Sequence, residues 1–276
     1  LIYFFRLFFL EIAFTLFFIG GSYNFYLNQL EFSPHRIAHA GGSLNEVYYT
    51  NSLSAMTHNY KKGFVYFEVD LSLTADGDIV CVHDWFGIKG PIDWNGVPST
   101  ANFRKVVAES TYKPCTIGSL EQWLRQYPET KLITDAKADN YKTLKMIASA
   151  YPWLIPRIIP HIYKPEEFDP IRALGYNDII WILYKYEGSE KDVLNNVARF
   201  RQPFAISLGV KHLRRRLQFV LRQFNKDLVI YAYTVNSLSL ACKLINYQSI
   251  TEVYSDALSP KESCDADKEI WNYYYH

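Results

Sequence analysis

The chain has 276 residues, of which 49% are hydrophobic and 21% are charged, and its formal net charge is +1. This composition is typical of a folded globular protein and excludes a disordered chain. The balanced charge argues against a dedicated nucleic-acid-binding protein, and the length suits one large domain or two small ones.

An apolar segment covers residues 1–21 and is about long enough to cross a bilayer. Arg6 lies near one end, where its side chain can reach the membrane surface, whereas Glu11 near the middle is costly there. A cleaved signal peptide is the alternative, because signal peptides also combine a basic residue with an apolar core. We expect a transmembrane anchor with the following domain outside the cytoplasm, or a secreted protein if the segment is cleaved.

Strand-like and helix-like segments alternate after a short linker at residues 22–32. Nine runs of apolar, β-branched or aromatic residues are predicted to be strands: Arg36–Ala40, Val65–Leu71, Ile79–His83, Lys131–Ala136, Arg157–Tyr163, Asp178–Tyr184, Phe204–Leu208, Leu228–Val235 and Glu252–Asp256. Seven helices are predicted between them: Asn51–Lys62, Ser119–Tyr127, Asn140–Tyr151, Lys164–Leu174, Ser189–Phe200, Lys211–Asn225 and Ser237–Asn246. Five residues are predicted to cap helices: Asn51, Ser119, Asn140, Ser189 and Ser237. This alternation predicts an α/β fold, a (β/α)8 TIM barrel over residues 33–260 preceded by one N-terminal hydrophobic helix, with one strand surplus to the ring.

Two stretches depart from the regular alternation. The strands at Val65–Leu71 and Ile79–His83 lie too close together in sequence for a crossover helix between them. Residues 85–118 carry Gly, Pro and Trp with weak periodicity, and we expect them to form an inserted loop or lid over the site. Residues 261–276 form a C-terminal tail whose aromatic residues are expected to pack on the barrel.

The chain contains four cysteines: Cys81, Cys115, Cys242 and Cys264. They show neither C-x-x-C pairing nor the spacing of metal ligands. Cys81 falls within an apolar strand and is interpreted as a small core residue. The even count permits a disulfide but does not fix the redox compartment.

Three carboxylates are predicted to face the interior of the barrel. Side chains alternate along a strand, so Glu68 and Asp70 share the face opposite to the apolar residues of the same run. By the same rule Asp135 faces inward, with Lys137 beside it as a positive charge for a phosphate. Carboxylates without nearby cysteines suit a hard divalent cation, Mg²⁺ or Ca²⁺. A buried salt-bridge cluster, or a simple ion pair between Asp135 and Lys137, is the alternative.

Two histidines are predicted at strand ends, where barrel enzymes collect their catalytic groups. His39 and His83 are candidates for an acid/base pair, although each alone would more often be structural. Gly41 and Gly42 after His39 would let the backbone approach a ligand closely. His161 also lies at a strand end.

Eight short motifs occur between residues 35 and 260: Ile37-Ala-His-Ala-Gly-Gly, Asn51-Ser-Leu-Ser-Ala, Gly63-Phe-Val-Tyr-Phe-Glu-Val-Asp, Leu73-Thr-Ala-Asp-Gly, Val82-His-Asp, Leu132-Ile-Thr-Asp-Ala-Lys, Tyr233-Thr-Val-Asn and Tyr254-Ser-Asp. In order and spacing they resemble the glycerophosphodiester phosphodiesterase family. That family belongs to the TIM-barrel phosphodiesterase superfamily shared with phosphatidylinositol-specific phospholipase C.

The resemblance implies a hydrolase in which two histidines perform acid/base chemistry beside a divalent cation. The implied catalytic residues are His39 and His83, and the implied metal ligands are Glu68, Asp70 and Asp135. The expected substrate- or phosphate-binding residues are Lys137, Tyr233, Asn51 and His161. Lys137 matches the family's lysine near the phosphate, and Tyr233 lies where the family often has Trp.

The sequence departs from the family pattern at three positions. Ala40 replaces the arginine that usually follows the first histidine, and Thr50 replaces a glutamate that commonly joins the metal shell. Asp135 is one methylene shorter than the usual glutamate. These changes affect the expected substrate specificity more than the expected phosphodiester chemistry.

Three functions are compatible with the sequence. The first is a metal-dependent phosphodiesterase that hydrolyses glycerophosphodiesters. The second is a phospholipase D-like activity on lysolipid or sphingolipid phosphodiesters, which the anchor and the altered phosphate-binding positions would suit. The third is a catalytically degenerate barrel that binds a phosphorylated ligand or a membrane partner. No nucleic-acid partner is expected, and the sequence does not predict an oligomeric state.

Overall fold

The structure is a computed structural model. It describes residues 35–264 apart from 87–88, 185, 201–203, 213–216, 218–219, 223–224 and 263. The predicted anchor at 1–21, the linker at 22–32 and most of the tail lie outside the described residues. Within the described ranges, no helix combines the length and the apolar character that crossing a membrane requires.

A closed ring of eight parallel strands forms the centre of the described domain. The strands along the chain are β1 (Ile37–Ala38), β2 (Tyr66–Leu73), β3 (Ile79–Cys81), β4 (Lys131–Ala136), β5 (Ile158–Ile162), β6 (Ile179–Ile182), β7 (Phe204–Gly209), β8 (Val229–Tyr233) and β9 (Glu252–Ser255). They pair in the order β1-β9-β8-β7-β6-β5-β4-β2, and β1 also pairs with β2 to close the ring. The surplus strand is β3, which pairs antiparallel with β2. The predicted TIM barrel is therefore confirmed.

Seven α-helices have both ends within the described residues: α1 (Leu53–Lys61), α2 (Thr100–Glu109), α3 (Ile117–Gln126), α4 (Asn140–Ala150), α5 (Phe168–Ala173), α6 (Glu190–Arg199) and α7 (Leu238–Tyr247). Six of them match predicted helices, and α2 was not predicted. The seventh predicted helix, Lys211–Asn225, lies partly outside the described residues.

Side-chain capping sets the start of most of these helices. The predicted caps Ser189 and Ser237 are confirmed, because each side chain accepts a backbone N–H bond from the first turn. The other three predicted caps are wrong, since Ser52, Thr116 and Asp139 accept the capping bonds instead. In each case a second capping residue lies within three positions, so sequence alone does not choose between them.

The two faces of β2 are divided as side-chain alternation predicts. Phe67, Val69 and Leu71 belong to the apolar core between the barrel and its helices, and the Phe67 ring meets Trp123 of α3 at 5.3 Å between centroids. Burial of one such side chain stabilises the fold by about 1.5–3 kcal/mol. Glu68 and Asp70 are thereby directed into the barrel.

The stretch at residues 85–118 forms a packed insert with its own small core. Trp94 stacks on Phe103 of α2 at 5.2 Å, and Trp85 meets Trp94 edge-on at 5.5 Å. Helix α2 shows weak periodicity because Phe103 is its one large hydrophobic residue that is completely buried. The insert is joined to the barrel by a disulfide between Cys81 and Cys115.

The interpretation of Cys81 as a small core residue is confirmed, because it is buried in the apolar core. The sequence left a disulfide open, and the structure pairs Cys81 with Cys115. The remaining cysteines also form a disulfide, Cys242–Cys264. A spacing of 34 residues in one bridge and 22 in the other carries no sequence signature, so only the fold brings the partners together.

Candidate active site

A cavity of about 1080 Å³ opens at the carboxyl ends of the barrel strands. Its wall includes every predicted catalytic and metal-binding residue: His39, His83, Glu68, Asp70 and Asp135. Three of the four predicted substrate-binding residues also line it: Lys137, His161 and Tyr233. The C-terminal face is where TIM barrels carry their active sites, because the loops there join strand ends from the whole ring.

Three carboxylates form the most acidic part of this cavity. Glu68, Asp70 and Asp135 each offer one oxygen, and the three oxygens lie within 4.8 Å of one another. Burial and the negative charge of Asp70 raise the pKa of Glu68 to about 8. Three buried carboxylates whose oxygens lie this close together are a fitting oxygen-ligand set for one hard divalent cation.

Lys137 supplies the positive charge nearest to these carboxylates. Its Nζ lies 2.6 Å from Asp70 Oδ1 and 2.7 Å from Asp135 Oδ2. Burial by itself would lower the pKa of Lys137, but the neighbouring carboxylates raise it above the ordinary value for lysine. The ammonium therefore stays charged and compensates part of the acidic cluster.

Asn51 holds Asp70 rather than lining the cavity. Its Nδ2 donates to Asp70 Oδ2 at 2.8 Å, and its Oδ1 accepts from the Asp70 backbone N–H at 2.8 Å. Asn51 is buried and adopts a left-handed backbone with φ of 47°, a conformation that asparagine tolerates better than most residues. The sequence predicted that Asn51 would contact the substrate. In the structure Asn51 instead orients Asp70, a candidate metal ligand.

His39 is held by a carboxylate that the sequence analysis did not select. Its Nδ1 lies 2.8 Å from Asp256 Oδ1, and its Nε2 lies 4.0 Å from Glu68 Oε2. Burial lowers the pKa of His39, but the hydrogen bond to Asp256 and the charges of Glu68, Asp256 and Asp70 outweigh it and raise this pKa to about 9. The imidazole is thus fixed in orientation and favoured in its protonated form.

Asp256 is in turn clamped by Asn236, in the same way that Asn51 clamps Asp70. Asn236 Nδ2 donates to Asp256 Oδ2 at 2.7 Å, and Asn236 Oδ1 accepts from the Asp256 backbone N–H at 2.8 Å. Both residues end motifs that supported the family resemblance, so a sequence signal for them existed. Their pairing lies outside any local pattern, because 20 residues separate them.

The turn after His39 explains the two glycines that follow it. Gly41 and Gly42 have φ of 81° and 80°, and a Cβ on Gly42 would lie 2.4 Å from Asn59 Nδ2. Asn59 of α1 donates to the carbonyls of Gly41 and Ser43 at 3.1 and 2.9 Å. We expected the backbone at these glycines to approach a ligand. At Gly42 it approaches the Asn59 side chain instead.

His83 lies in a different electrostatic environment from His39. Burial lowers its pKa, and the positive charges of Lys137 and Lys89 lower it further against the opposing charge of Asp70. Its Nδ1 lies 3.3 Å from Asp84 Oδ2. Tyr49 contacts both imidazoles edge-on, with ring centroids 4.9 Å from His39 and 5.9 Å from His83, and no sequence feature had pointed to it.

The positions that depart from the family pattern have local roles here. The Ala40 backbone N–H donates to Glu68 Oε2 at 2.8 Å. Thr50 is buried, and its hydroxyl lies 3.0 Å from Ser52 Oγ at the start of α1. The Tyr163 hydroxyl contacts Asp135 Oδ1 and so positions the shorter carboxylate.

Comparison with known proteins agrees with this geometry. Residues 39–148 match the model of the glycerophosphoryl diester phosphodiesterase family. The predicted family resemblance is confirmed. The matched segment begins at His39 and contains the three carboxylates, His83 and Lys137, so it spans most of the candidate active site. No curated protein matches the sequence of the chain significantly.

Solved structures of this family share the fold. A phosphodiesterase from Oleispira antarctica, in complex with the product sn-glycerol-3-phosphate, is 17% identical with a TM-score of 0.66 over 86% of this chain and 98% of that one. A glycerophosphoryl diester phosphodiesterase from Parabacteroides distasonis is 17% identical, with a TM-score of 0.62 over 87% and 88% of the two chains. A glycerophosphodiester phosphodiesterase from Thermotoga maritima is 17% identical, with a TM-score of 0.59 over 80% and 93%.

Proposed function

We propose that the chain is a metal-dependent phosphodiesterase that hydrolyses a glycerophosphodiester-like substrate by acid/base catalysis with two histidines. The observation that carries the proposal is the convergence of His39, His83 and three buried carboxylates on one cavity. The family match over residues 39–148 and the product bound by the Oleispira antarctica structure support the substrate class.

Glu68, Asp70 and Asp135 would hold the divalent cation, with Mg²⁺ or Ca²⁺ as the candidates for an all-oxygen set. When bound, such a cation neutralises charge on a non-bridging phosphate oxygen. Asn51 keeps Asp70 oriented toward it, and Lys137 adds a second positive charge at the same place. The protein thus concentrates positive charge where the phosphoryl group would be bound.

The two imidazoles would move the protons. Asp256 accepts a hydrogen bond from Nδ1–H of His39, which leaves Nε2 as the atom that exchanges a proton with the substrate. One histidine deprotonates water or a neighbouring hydroxyl of the substrate, and the other protonates the leaving alcohol. If the substrate's own hydroxyl attacks, a cyclic phosphate is formed first and is then opened by water.

His161 and Tyr233 would complete the substrate-binding wall beside Lys137. His161 Nδ1 and the Tyr233 hydroxyl are buried and lack a hydrogen-bond partner among the described residues. Buried polar atoms are normally paired, so a ligand or an ordered water is the expected partner. Burial lowers the pKa of His161 to about 4, so the ring is neutral and can donate or accept.

His39→Ala and His83→Ala test this proposal most directly. We expect either substitution to abolish hydrolysis of glycerophosphodiesters, while the circular dichroism spectrum stays unchanged. Removal of divalent cations with a chelator should do the same, and readdition should restore turnover. His58→Ala on α1, which does not line the cavity, is the matched control. Full activity of either site variant would refute the assignment, and phosphodiester binding without hydrolysis by the native chain would favour a binding protein.

We also propose that the domain functions outside the cytoplasm, anchored by residues 1–21. The two disulfides support this proposal, because disulfides persist mainly in oxidising compartments. A membrane-impermeant thiol reagent applied to intact cells tests this location. The four cysteines should be labelled after reduction of the disulfides and not before. Free thiols in the native protein would contradict this location.

A further inference from the structure

The cavity is larger than a phosphate group bound at the histidines and carboxylates would fill, and much of its wall is apolar. A volume of about 1080 Å³ is slightly above the usual range of sites that enclose a drug-sized ligand. The insert contributes one apolar wall, with Trp85, Phe86 and Val97, and Leu73 at the end of β2 also lines the cavity. The ends of β6, β7 and β8 contribute the facing wall, with Ile182, Tyr184, Val210 and Tyr233.

Exposed apolar side chains gather at the rim of this cavity. Phe86 is 72% exposed, Val97 is 48% exposed and Tyr184 is 40% exposed. Seven large hydrophobic residues are exposed in the described part of the chain, and these three line the same cavity. Apolar groups clustered beside a polar site mark a binding surface, whereas singly scattered ones need no explanation.

The insert wall is fixed rather than loosely packed. Trp85, next to Phe86, is buried against Trp94 and lies 6.3 Å from the Phe103 ring. The Cys81–Cys115 disulfide joins the base of the insert to the strand that carries the chain to His83. The apolar wall is thus formed before any ligand binds.

We propose that the phosphodiester substrate carries a long apolar chain that lies between these two walls while its phosphate is bound at the histidines and carboxylates. This inference rests on the proposed phosphodiesterase function. A glycerol or a small polar alcohol would leave Phe86, Val97 and Tyr184 facing water, whereas a hydrocarbon chain would cover them. The substrate class is therefore an amphiphilic phosphodiester with its chain leaving through the Phe86 side of the rim.

A series of glycerophosphoalkyl diesters, from ethyl to octyl and kept below their micellar concentrations, tests the proposal without a membrane. Complete burial of a methylene favours binding by about fourfold. An open wall covers about half of each methylene, so we expect kcat/KM to rise by about twofold per methylene.

Two pairs of substitutions separate the rim from other exposed apolar sites. Phe86→Ser and Val97→Ser should flatten the dependence on chain length, so that kcat/KM for the octyl ester falls further than kcat/KM for the ethyl ester. The matched controls are Tyr247→Ser and Val106→Ser, which are 66% and 38% exposed in the native chain and lie away from the cavity. The controls should keep the slope of the native protein.

The outcomes distinguish this inference from the function on which it rests. Turnover that is independent of chain length in the native protein would overturn the inference and leave the phosphodiesterase proposal intact. If no ester is cleaved, the phosphodiesterase proposal fails. Binding of the uncleavable octyl phosphonate analogue, measured by tryptophan fluorescence, then decides the inference, since binding unaffected by Phe86→Ser overturns it.

Discussion

His39 and Asp256 form the most informative pair at the scale of single residues. The hydrogen bond between them spans 217 positions of sequence, and Asn236 fixes the carboxylate in place. A carboxylate on Nδ1 selects the tautomer that leaves Nε2 available for proton transfer. Asp256 therefore acts through His39 and not on the substrate.

Asp256→Asn should lower kcat by about 100-fold or more, because an amide cannot stabilise the imidazolium that forms during the reaction. KM and cation affinity should change little. Steady-state kinetics with a titration of the cation measures both effects. Asp178→Asn is the control, since Asp178 pairs with Lys131 at the first residue of β4 and does not line the cavity. An equal fall in kcat for both variants would show that the effect is general destabilisation.

Lys137 gives a second prediction at this scale. Lys137→Gln leaves Asp70 and Asp135 without their ion-pair partner, and an unpaired buried charge costs about 3–5 kcal/mol. We expect the variant to unfold at a lower temperature than the native protein and to gain more from added Mg²⁺ or Ca²⁺. Thermal unfolding with and without the cation checks this. Lys131→Gln, which breaks an ion pair outside the cavity, should show no larger gain than the native chain.

At the scale of elements, a carboxylate of the β2–β3 hairpin binds the first residue of the insert helix α2. Asp76 Oδ1 accepts from the backbone N–H and the hydroxyl of Thr100, both at 2.8 Å, at the first residue of α2. These bonds with Thr100, together with the hydroxyl of Thr74, lower the pKa of Asp76 to about 2. The motif Leu73-Thr-Ala-Asp-Gly thus connects the hairpin to a helix that the sequence did not predict.

Asp76→Asn should lower the midpoint of thermal unfolding by a few degrees at neutral pH. The folded-state pKa of Asp76 is depressed, so its contribution is present above its ordinary pKa of 3.8 and is lost as the pH falls toward 2. The difference between native and variant proteins should therefore shrink between about pH 4 and pH 2. Asp192→Asn at the start of α6 serves as a comparison, because the Asp192 carboxylate likewise accepts a backbone N–H bond, from Ser189, outside the insert. A difference independent of pH would contradict the linkage.

The alternation of side chains between the two faces of β2 and β4 was predictable because it depends only on the local strand geometry. Glu68, Asp70 and Asp135 face inward whatever the rest of the fold does, since successive side chains of a strand point to opposite faces. Helix α2 was not predictable in the same way, because Phe103 is its one large side chain that is completely buried in the insert. Its stability comes from ring packing against Trp94 and not from its own periodicity.

At the scale of the whole molecule, two covalent links join distant segments. The double variant Cys81→Ala/Cys115→Ala should lose about 4 kcal/mol of unfolding free energy, as expected for a loop of 34 residues. It should also weaken the dependence of turnover on alkyl chain length, because the bridge supports the insert wall.

Denaturant unfolding and the ester series measure these two effects. Cys242→Ala/Cys264→Ala removes the bridge that closes a loop of 22 residues and is the matched control for stability alone. If both double variants change the chain-length dependence equally, the first bridge has no special role at the cavity.

The barrel, the inward carboxylates and the histidines at strand ends were predictable from the sequence. Periodicity, strand count and short motifs are local, and a parallel ring places all carboxyl ends of its strands on one face. The contacts of Asp256 with His39 and of Asn51 with Asp70, and the pairing of the cysteines, became known from the folded structure. These contacts join residues that no local pattern relates, so they exist once the ring has closed.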